Sequence, residues 1–295
     1  MFEFLLDPFR YEFFVRGMLA ATIVGGLCGL VGTFVVLRRM SYIGHGLSHS
    51  VFGGAVVSYV MSWNFYLGAG LWGFISAVLI NWTARRRQIG GDAAIGIVTT
   101  ASFAVGVAII SKARRFTKNF DAALFGNVLG VQPEDVFVVI GVTIMVAVLI
   151  FFAYRQLLFM TFDREVAPLY GVPDQWMDAL LSLILAATVI ASMQILGVTM
   201  IAAIIVVPAV TARLLTDSFG RMVLLATAIG TVCGLVGMLL SYYLDVASGA
   251  TVVLTAATIF LLALMGTSAS RRLQRERARR ATARLNPAEV SDLFD

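Results

Sequence analysis

The sequence predicts an all-α polytopic membrane protein with eight or nine transmembrane helices. The 295-residue chain is 59% hydrophobic and 13% charged, whereas soluble globular proteins run at about 45–50% and about 25%. Mean hydropathy is +0.90. The charges are also clustered, which leaves repeated apolar runs near the length of about 20 residues that a helix needs to cross the hydrocarbon core. Lys and Arg collect on the cytoplasmic side of membrane proteins, so the net charge of +5 reads as topology rather than as a nucleic-acid surface.

Residues 1–12 form an interfacial N-terminal segment. Met1 to Arg16 mix Glu3, Asp7, Arg10, Glu12 and Arg16 with aromatics, a pattern unlike a cationic signal-peptide start and suited to the membrane interface. Residues 13–268 hold the candidate spans: 13–37, 45–61, 66–84, 92–111, 134–153, 178–195, 198–214, 221–242 and 249–266. Arg38-Arg39, Arg85-Arg86-Arg87, the segment from Arg155, the Arg213–Arg221 turn and the tail from Arg271 separate or follow them. With these clusters inside, the N-terminus lies outside and the C-terminus inside. The links 62–65 and 243–248 then fall outside, and neither carries Lys or Arg, as the positive-inside rule asks. Lys112, Arg114, Arg115 and Lys118 land outside against that rule, so either 112–133 is partly re-entrant or the count is eight.

Gly25-x-x-x-Gly29 and Gly230-x-x-x-Gly234 are spacings that let membrane helices approach closely. Pro208 removes a backbone hydrogen bond from the 198–214 span and predicts a kink. Cys28 and Cys233 sit in apolar Gly-rich runs and read as small packing residues. Residues 155–176 are long for a link and should have structure of their own. Asp163-Arg164-Glu165 opens a short helical pattern that puts Val166, Leu169 and Tyr170 on one side, and Gly171 and Pro173 end it. Such a helix on the cytoplasmic face either docks on another protein or lies on the membrane. Residues 269–295 are a basic cytoplasmic tail. Arg271 to Arg280 suit anionic lipid, at about 1 kcal/mol per cation near the surface.

The chain has only two histidines, His45 and His49. On a helix they lie one turn apart on one face. Neutral imidazole is the commonest metal-ligand side chain, and ionisable groups at membrane depth mark transport paths. Both are therefore candidate metal ligands, with Gly44 and Gly46 allowing close approach and Ser41, Ser48 and Ser50 available to orient the rings. Two imidazoles do not fill a coordination shell, so carboxylates, carbonyls or water must complete it; Asp92, Asp121 and Asp245 are open candidates. The contrary reading is two satisfied polar side chains near the headgroups. The chain has no Gly-x-x-x-x-Gly-Lys-Ser/Thr and no His-Glu-x-x-His, so uphill transport would draw on an ion gradient or on a separate ATPase. No enzyme activity and no permanently bound cofactor are expected.

The run Leu37-Arg38-Arg39-Met40-Ser41-Tyr42-Ile43-Gly44-His45-Gly46-Leu47-Ser48-His49-Ser50 resembles the RRMSxxGDxxxH segment of the ABC-3 permeases, the membrane subunits of bacterial zinc, manganese and iron importers. Gly91–Ile97, Leu124–Gly130, Leu158–Asp163 with Gly171, and Leu196–Val198 leading to Val207-Pro208-Ala209 match in family order. The resemblance implies a type II-like ABC importer transmembrane domain in the bacterial inner membrane. It implies a homodimer, a cytoplasmic ATP-binding subunit and an extracytoplasmic metal-binding protein. It also implies that residues 161–173 form the coupling helix, with Phe162, Asp163, Arg164, Glu165, Tyr170 and Gly171 seated on the ATPase, and that His49 carries the metal. His45 stands where the family commonly has Asp. Imidazole for a hard carboxylate shifts the expected cargo from manganese toward zinc. The alternatives are a gradient-driven secondary metal transporter and an importer of a metal chelate.

Overall fold

A computed structural model describes residues 7–84, 91–113, 126 and 130–282 of the chain. A 3-10 turn at Asp7–Arg10 leads into α1 (Glu12–Leu37), followed by α2 (Ser41–Val60), α3 (Phe65–Ala84), α4 (Gly91–Ala113) and α5 (Pro133–Phe162). A second 3-10 turn, Ala167–Tyr170, precedes α6 (Asp174–Leu196), α7 (Val198–Leu215), α8 (Phe219–Leu244) and α9 (Ser248–Thr282). Each expected span thus has its helix. Eight are long and apolar enough to cross a membrane, and α2 is the one that falls short. Its 20 residues include both histidines and four serines.

Contacts between helix ends define two faces. At one, the Arg38 side chain after α1 meets Thr161 near the end of α5 and Asp178 in the first turns of α6. There too, Phe219 at the start of α8 packs on Phe34 and Phe162. At the other, Tyr242 near the end of α8 donates to Asp7 and packs on Phe14 of α1, while Tyr66 of α3 donates to Asp135 of α5. Asp135 also accepts the Gln132 amide in a capping box that starts α5 after Pro133. The first face carries Arg38, Arg39, Arg164, Arg213 and Arg221 and is the cytoplasmic one by the positive-inside rule.

The side of Lys112 follows from helix direction. Gly46 faces Ile95 and Thr99, and Gly53 faces Ser102 and Gly106. The numbers rise together, so α2 and α4 run parallel and Lys112 ends on the outer side. Arg114, Arg115 and Lys118 lie outside the described residues.

Packing is closest between α1 and α8. A Cβ on Gly25 would run into the Gly230 carbonyl, one on Gly29 into that of Ala226, and one on Gly234 into that of Ala21. This is backbone against backbone. Cys28 and Cys233 are both buried and free, and Cys28 Sγ lies 3.7 Å from Ser192 Oγ. Helix α7 continues through Pro208. Gly197, at φ 77°, alone separates α6 from α7, and Gly126, at φ 81°, packs against Ile195 to Gly197. Both positions need the left-handed backbone that glycine tolerates.

Three boundaries differ from the expected ones. Helix α5 runs to Phe162 rather than to residue 153, because Val146, Ile150, Ala153, Leu157 and Met160 keep its buried face going. Tyr154, Arg155 and Gln156 lie off that face and do not break it. Helix α2 starts at Ser41 rather than at 45, a turn that polar composition hides from a hydropathy reading. Helix α9 runs on to Thr282, because nothing in the Arg-rich stretch is a helix breaker.

Candidate metal site and candidate docking segment

His45 and His49 lie one turn apart on α2, with ring centroids 4.7 Å apart at 79°. His49 is half-buried, with its ring edge-to-face on Phe103 of α4 at 5.6 Å. Phe103 in turn stacks on Phe52 at 5.3 Å. His45 is exposed and sits 6.4 Å, centroid to centroid, from exposed Tyr42. The pair therefore forms a stripe that begins against α4 and opens at the surface of the single chain. Gly46 and Gly53 bring α4 close enough for Phe103 to support the pair: a Cβ on Gly53 would come to 2.5 Å from the Ser102 carbonyl oxygen.

Ser48 and Ser50 do not orient the rings. Ser48 donates at 2.7 Å to the His45 carbonyl, a helix back-bond. Ser50 is fully buried and its hydroxyl has no partner. The side chain of Ser41 lies outside what the structure describes. Among the described residues no group of three or more His, Cys, Asp or Glu could hold a metal ion. Asp92 is exposed in the first turn of α4, and Asp121 lies outside the described residues. Asp245, at φ 51° after α8, lines a separate cavity of about 420 Å³ at the outer end, together with Phe14, Tyr242 and Ser248.

At the cytoplasmic end, residues 163–173 do not form the expected amphipathic helix. Asp163 caps α5, Ala167 turns inward and is buried, and the 3-10 turn stops at Gly171 in the left-handed conformation. Pro168 and Gly171, only three residues apart, leave no room for an α-helical stripe. Val166 is partly buried, but Leu169 and Tyr170 are 83% and 76% exposed. Phe162, Asp163, Arg164 and Glu165 are exposed as well. The outcome is an open surface of aromatic, aliphatic and charged side chains. Phe162 leans on Phe219 at 5.9 Å, and Tyr170 on Phe159 at 5.5 Å.

Beneath this surface lies an ion cluster without a local sequence signal. Arg38 Nη1 donates to Asp178 Oδ1 at 3.2 Å, Nε to Thr161 Oγ1 at 3.1 Å and Nη2 to the Leu157 carbonyl at 3.5 Å. Arg164 Nη2 donates to the other Asp178 oxygen. Burial pulls the Arg38 guanidinium below its ordinary value, and the Asp178 charge opposes that.

Residues 10–267 match the ABC 3 transport family. The manganese transport system membrane protein MntC of Halalkalibacterium halodurans is 37% identical over 253 residues, covering 86% of this chain and 87% of its own. The chelated iron transport system membrane protein YfeC of Yersinia pestis is 33% identical over 261 residues, 88% of each chain. Among solved structures, PsaBC from Streptococcus pneumoniae in complex with Fab superposes with a TM-score of 0.81 at 32% identity, covering 89% of this chain and 95% of that one. The chain is thus a multi-pass membrane protein that belongs to the ABC 3 transport family.

Proposed function

We propose that this chain is the permease subunit of an ATP-driven importer of divalent first-row transition metal ions in the bacterial cytoplasmic membrane. The observation that carries this reading is the histidine stripe: two imidazoles one turn apart on α2, the described helix that is too polar to qualify as a span by itself, with one of the rings exposed. Lipid is a poor neighbour for such a group. A second copy of the chain, presenting its own stripe, supplies both cover and the missing ligands. His45 and His49 then hold the ion only in transit, since a site that bound it tightly would stall conduction.

Hydrolysis belongs to a separate cytoplasmic ATP-binding subunit. The exposed surface formed by Phe162, Asp163, Arg164, Glu165, Tyr170 and Gly171 has the mixed aromatic and charged character of a docking patch. An extracytoplasmic metal-binding protein delivers the ion to the opposite face. For cargo, relatives named for manganese transport support manganese as the first choice, beside one named for chelated iron. Imidazole at position 45 keeps zinc second, because nitrogen ligands suit zinc better than manganese.

Radiolabelled manganese and zinc uptake by cells expressing the wild type, His45→Ala and His49→Ala, at matched abundance, tests the site. The expected result is loss of uptake in His49→Ala and a smaller loss in His45→Ala. Wild-type uptake in both variants removes the pair from the mechanism. Co-purification from a mild detergent extract tests the energy source: an ATPase should accompany the chain, and its absence favours a gradient-driven carrier.

A further inference from the structure

We propose that Asp178 is the joint through which movement of the cytoplasmic docking segment reaches the histidine helix, with Arg38 and Arg164 as its two arms. This rests on the docking role given above to residues 162–171. The three are positioning residues; none touches the metal.

The geometry that points to this is a single carboxylate shared by two cations from different parts of the chain. One oxygen of Asp178 accepts from Arg38, which follows the last turn of α1, and the other accepts from Arg164 in the docking segment. The arms differ in environment. The Arg38 and Asp178 side chains are 6% and 8% exposed, whereas Arg164 is 63% exposed. A buried pair is hard to separate and an exposed one is easy. The Arg164 arm is therefore the one that an outside partner can pull on or release.

The inner arm is anchored so that it transmits. Arg38 also holds Thr161 and the Leu157 carbonyl on the last turns of α5, the helix that leads into the docking segment. On its other side the chain makes a rigid corner. The Arg38, Arg39 and Met40 amides fold back onto the Phe34, Val36 and Val35 carbonyls. Arg39 takes the left-handed conformation at φ 56°, and α2 starts at Ser41. Residue 45 follows Arg38 by seven positions, and the Ile43 amide donates back to the Met40 carbonyl, so displacement of the corner at Arg38 is passed to the start of α2. A charge-sharing joint of this kind has two arrangements, with the carboxylate divided between two cations or given wholly to Arg38. Such bistability is what carries coupling between distant sites.

The test is a double-mutant cycle in proteoliposomes holding the permease with its ATPase and binding protein, reading manganese imported per ATP hydrolysed. Arg164→Gln should lower that ratio about five- to tenfold, and Asp178→Asn should lower it by a similar factor. In the Asp178→Asn background, Arg164→Gln should have little further effect, because the charge on which that arm ends is already gone and only a neutral amide oxygen is left to accept. Asp178→Glu should recover part of the ratio. Independent, multiplying losses overturn the proposal, since Arg164 would then act on the ATPase directly. An unchanged ratio in both single variants overturns it too, whatever happens to the amount of protein. Should Asp178→Asn fail to accumulate, Thr161→Val replaces it in the cycle, removing one Arg38 contact while leaving both charges. Failure of the underlying reading looks different: the wild-type complex itself then shows no ATP-dependent uptake.

Discussion

The seam between α1 and α8 and the seam between α2 and α4 use one device to different ends. Both bring two helices together on glycine. In the first, Gly25, Gly29, Gly230 and Gly234 press on opposing backbone and are buried, and the side chains around them are apolar or small. In the second, Gly53 and Gly106 press on opposing backbone and Gly46 on the Ile95 and Thr99 side chains, but the edge of the seam carries His45 and His49. Close helix approach in a membrane is a packing solution. It becomes a site only where polar groups are left on an open edge. On the proposed reading, the composition of α2, too polar to qualify as a span by itself, is the trace of that second use.

Breaking the first seam should have the largest effect. Gly230→Leu puts a branched side chain where a single Cβ already meets the Gly25 carbonyl. Neither backbone can retreat, so the cost lies at or beyond the upper end of the about 1–3 kcal/mol typical of overpacking. Fluorescence-detected size exclusion should find little or no monodisperse protein. A normal elution profile and yield would mean that the seam can open, and the contrast with α2 and α4 would weaken.

The second seam should break differently. His49→Ala removes a half-buried ring that rests on Phe103. The fold should survive at near wild-type abundance, while metal uptake falls at least about tenfold, the loss that accompanies roughly 1.4 kcal/mol of missing stabilisation. Loss of abundance equal to the loss of uptake would make the ring a packing element and no ligand. A more selective break is His45→Asp, which should raise the manganese-to-zinc uptake ratio by several fold, because a hard oxygen ligand replaces nitrogen. An unaltered ratio would separate position 45 from cargo choice.

These two seams also mark what the sequence discloses. The glycine spacings 25–29 and 230–234 and the i, i+4 histidines are local patterns, and both could be read from one stretch of chain. The runs of apolar residues located every span, since hydropathy is summed over neighbours. What could not be read is whatever depends on residues far apart. Arg38 and Asp178 are 140 positions apart, and nothing in either neighbourhood announces the pair. The 155–176 segment failed for a related reason. A helical pattern of Val166, Leu169 and Tyr170 is visible, but the buried position is Ala167, in a 3-10 turn that packs against α5. Nor does helix periodicity distinguish a lipid-facing span from a central one: α5 and α6 are both strongly apolar, yet 17% of the apolar window of one is buried against 78% of the other.

The finest test of the comparison lies within one turn of α2. A Cβ on Gly44 would meet nothing within 4 Å, whereas one on Gly46 would meet the Ile95 and Thr99 methyl groups at 2.5 and 2.7 Å. Gly44→Ala should therefore cost no packing and gain up to about 1 kcal/mol of helix propensity. It should keep or slightly raise the thermal unfolding temperature and leave uptake unchanged. Gly46→Ala earns the same propensity but must push two side chains of α4 aside, so its unfolding temperature should fall below that of Gly44→Ala. Equal temperatures for the two variants would mean that α4 yields at this point, and that glycine at position 46 is not what sets the distance between the helices.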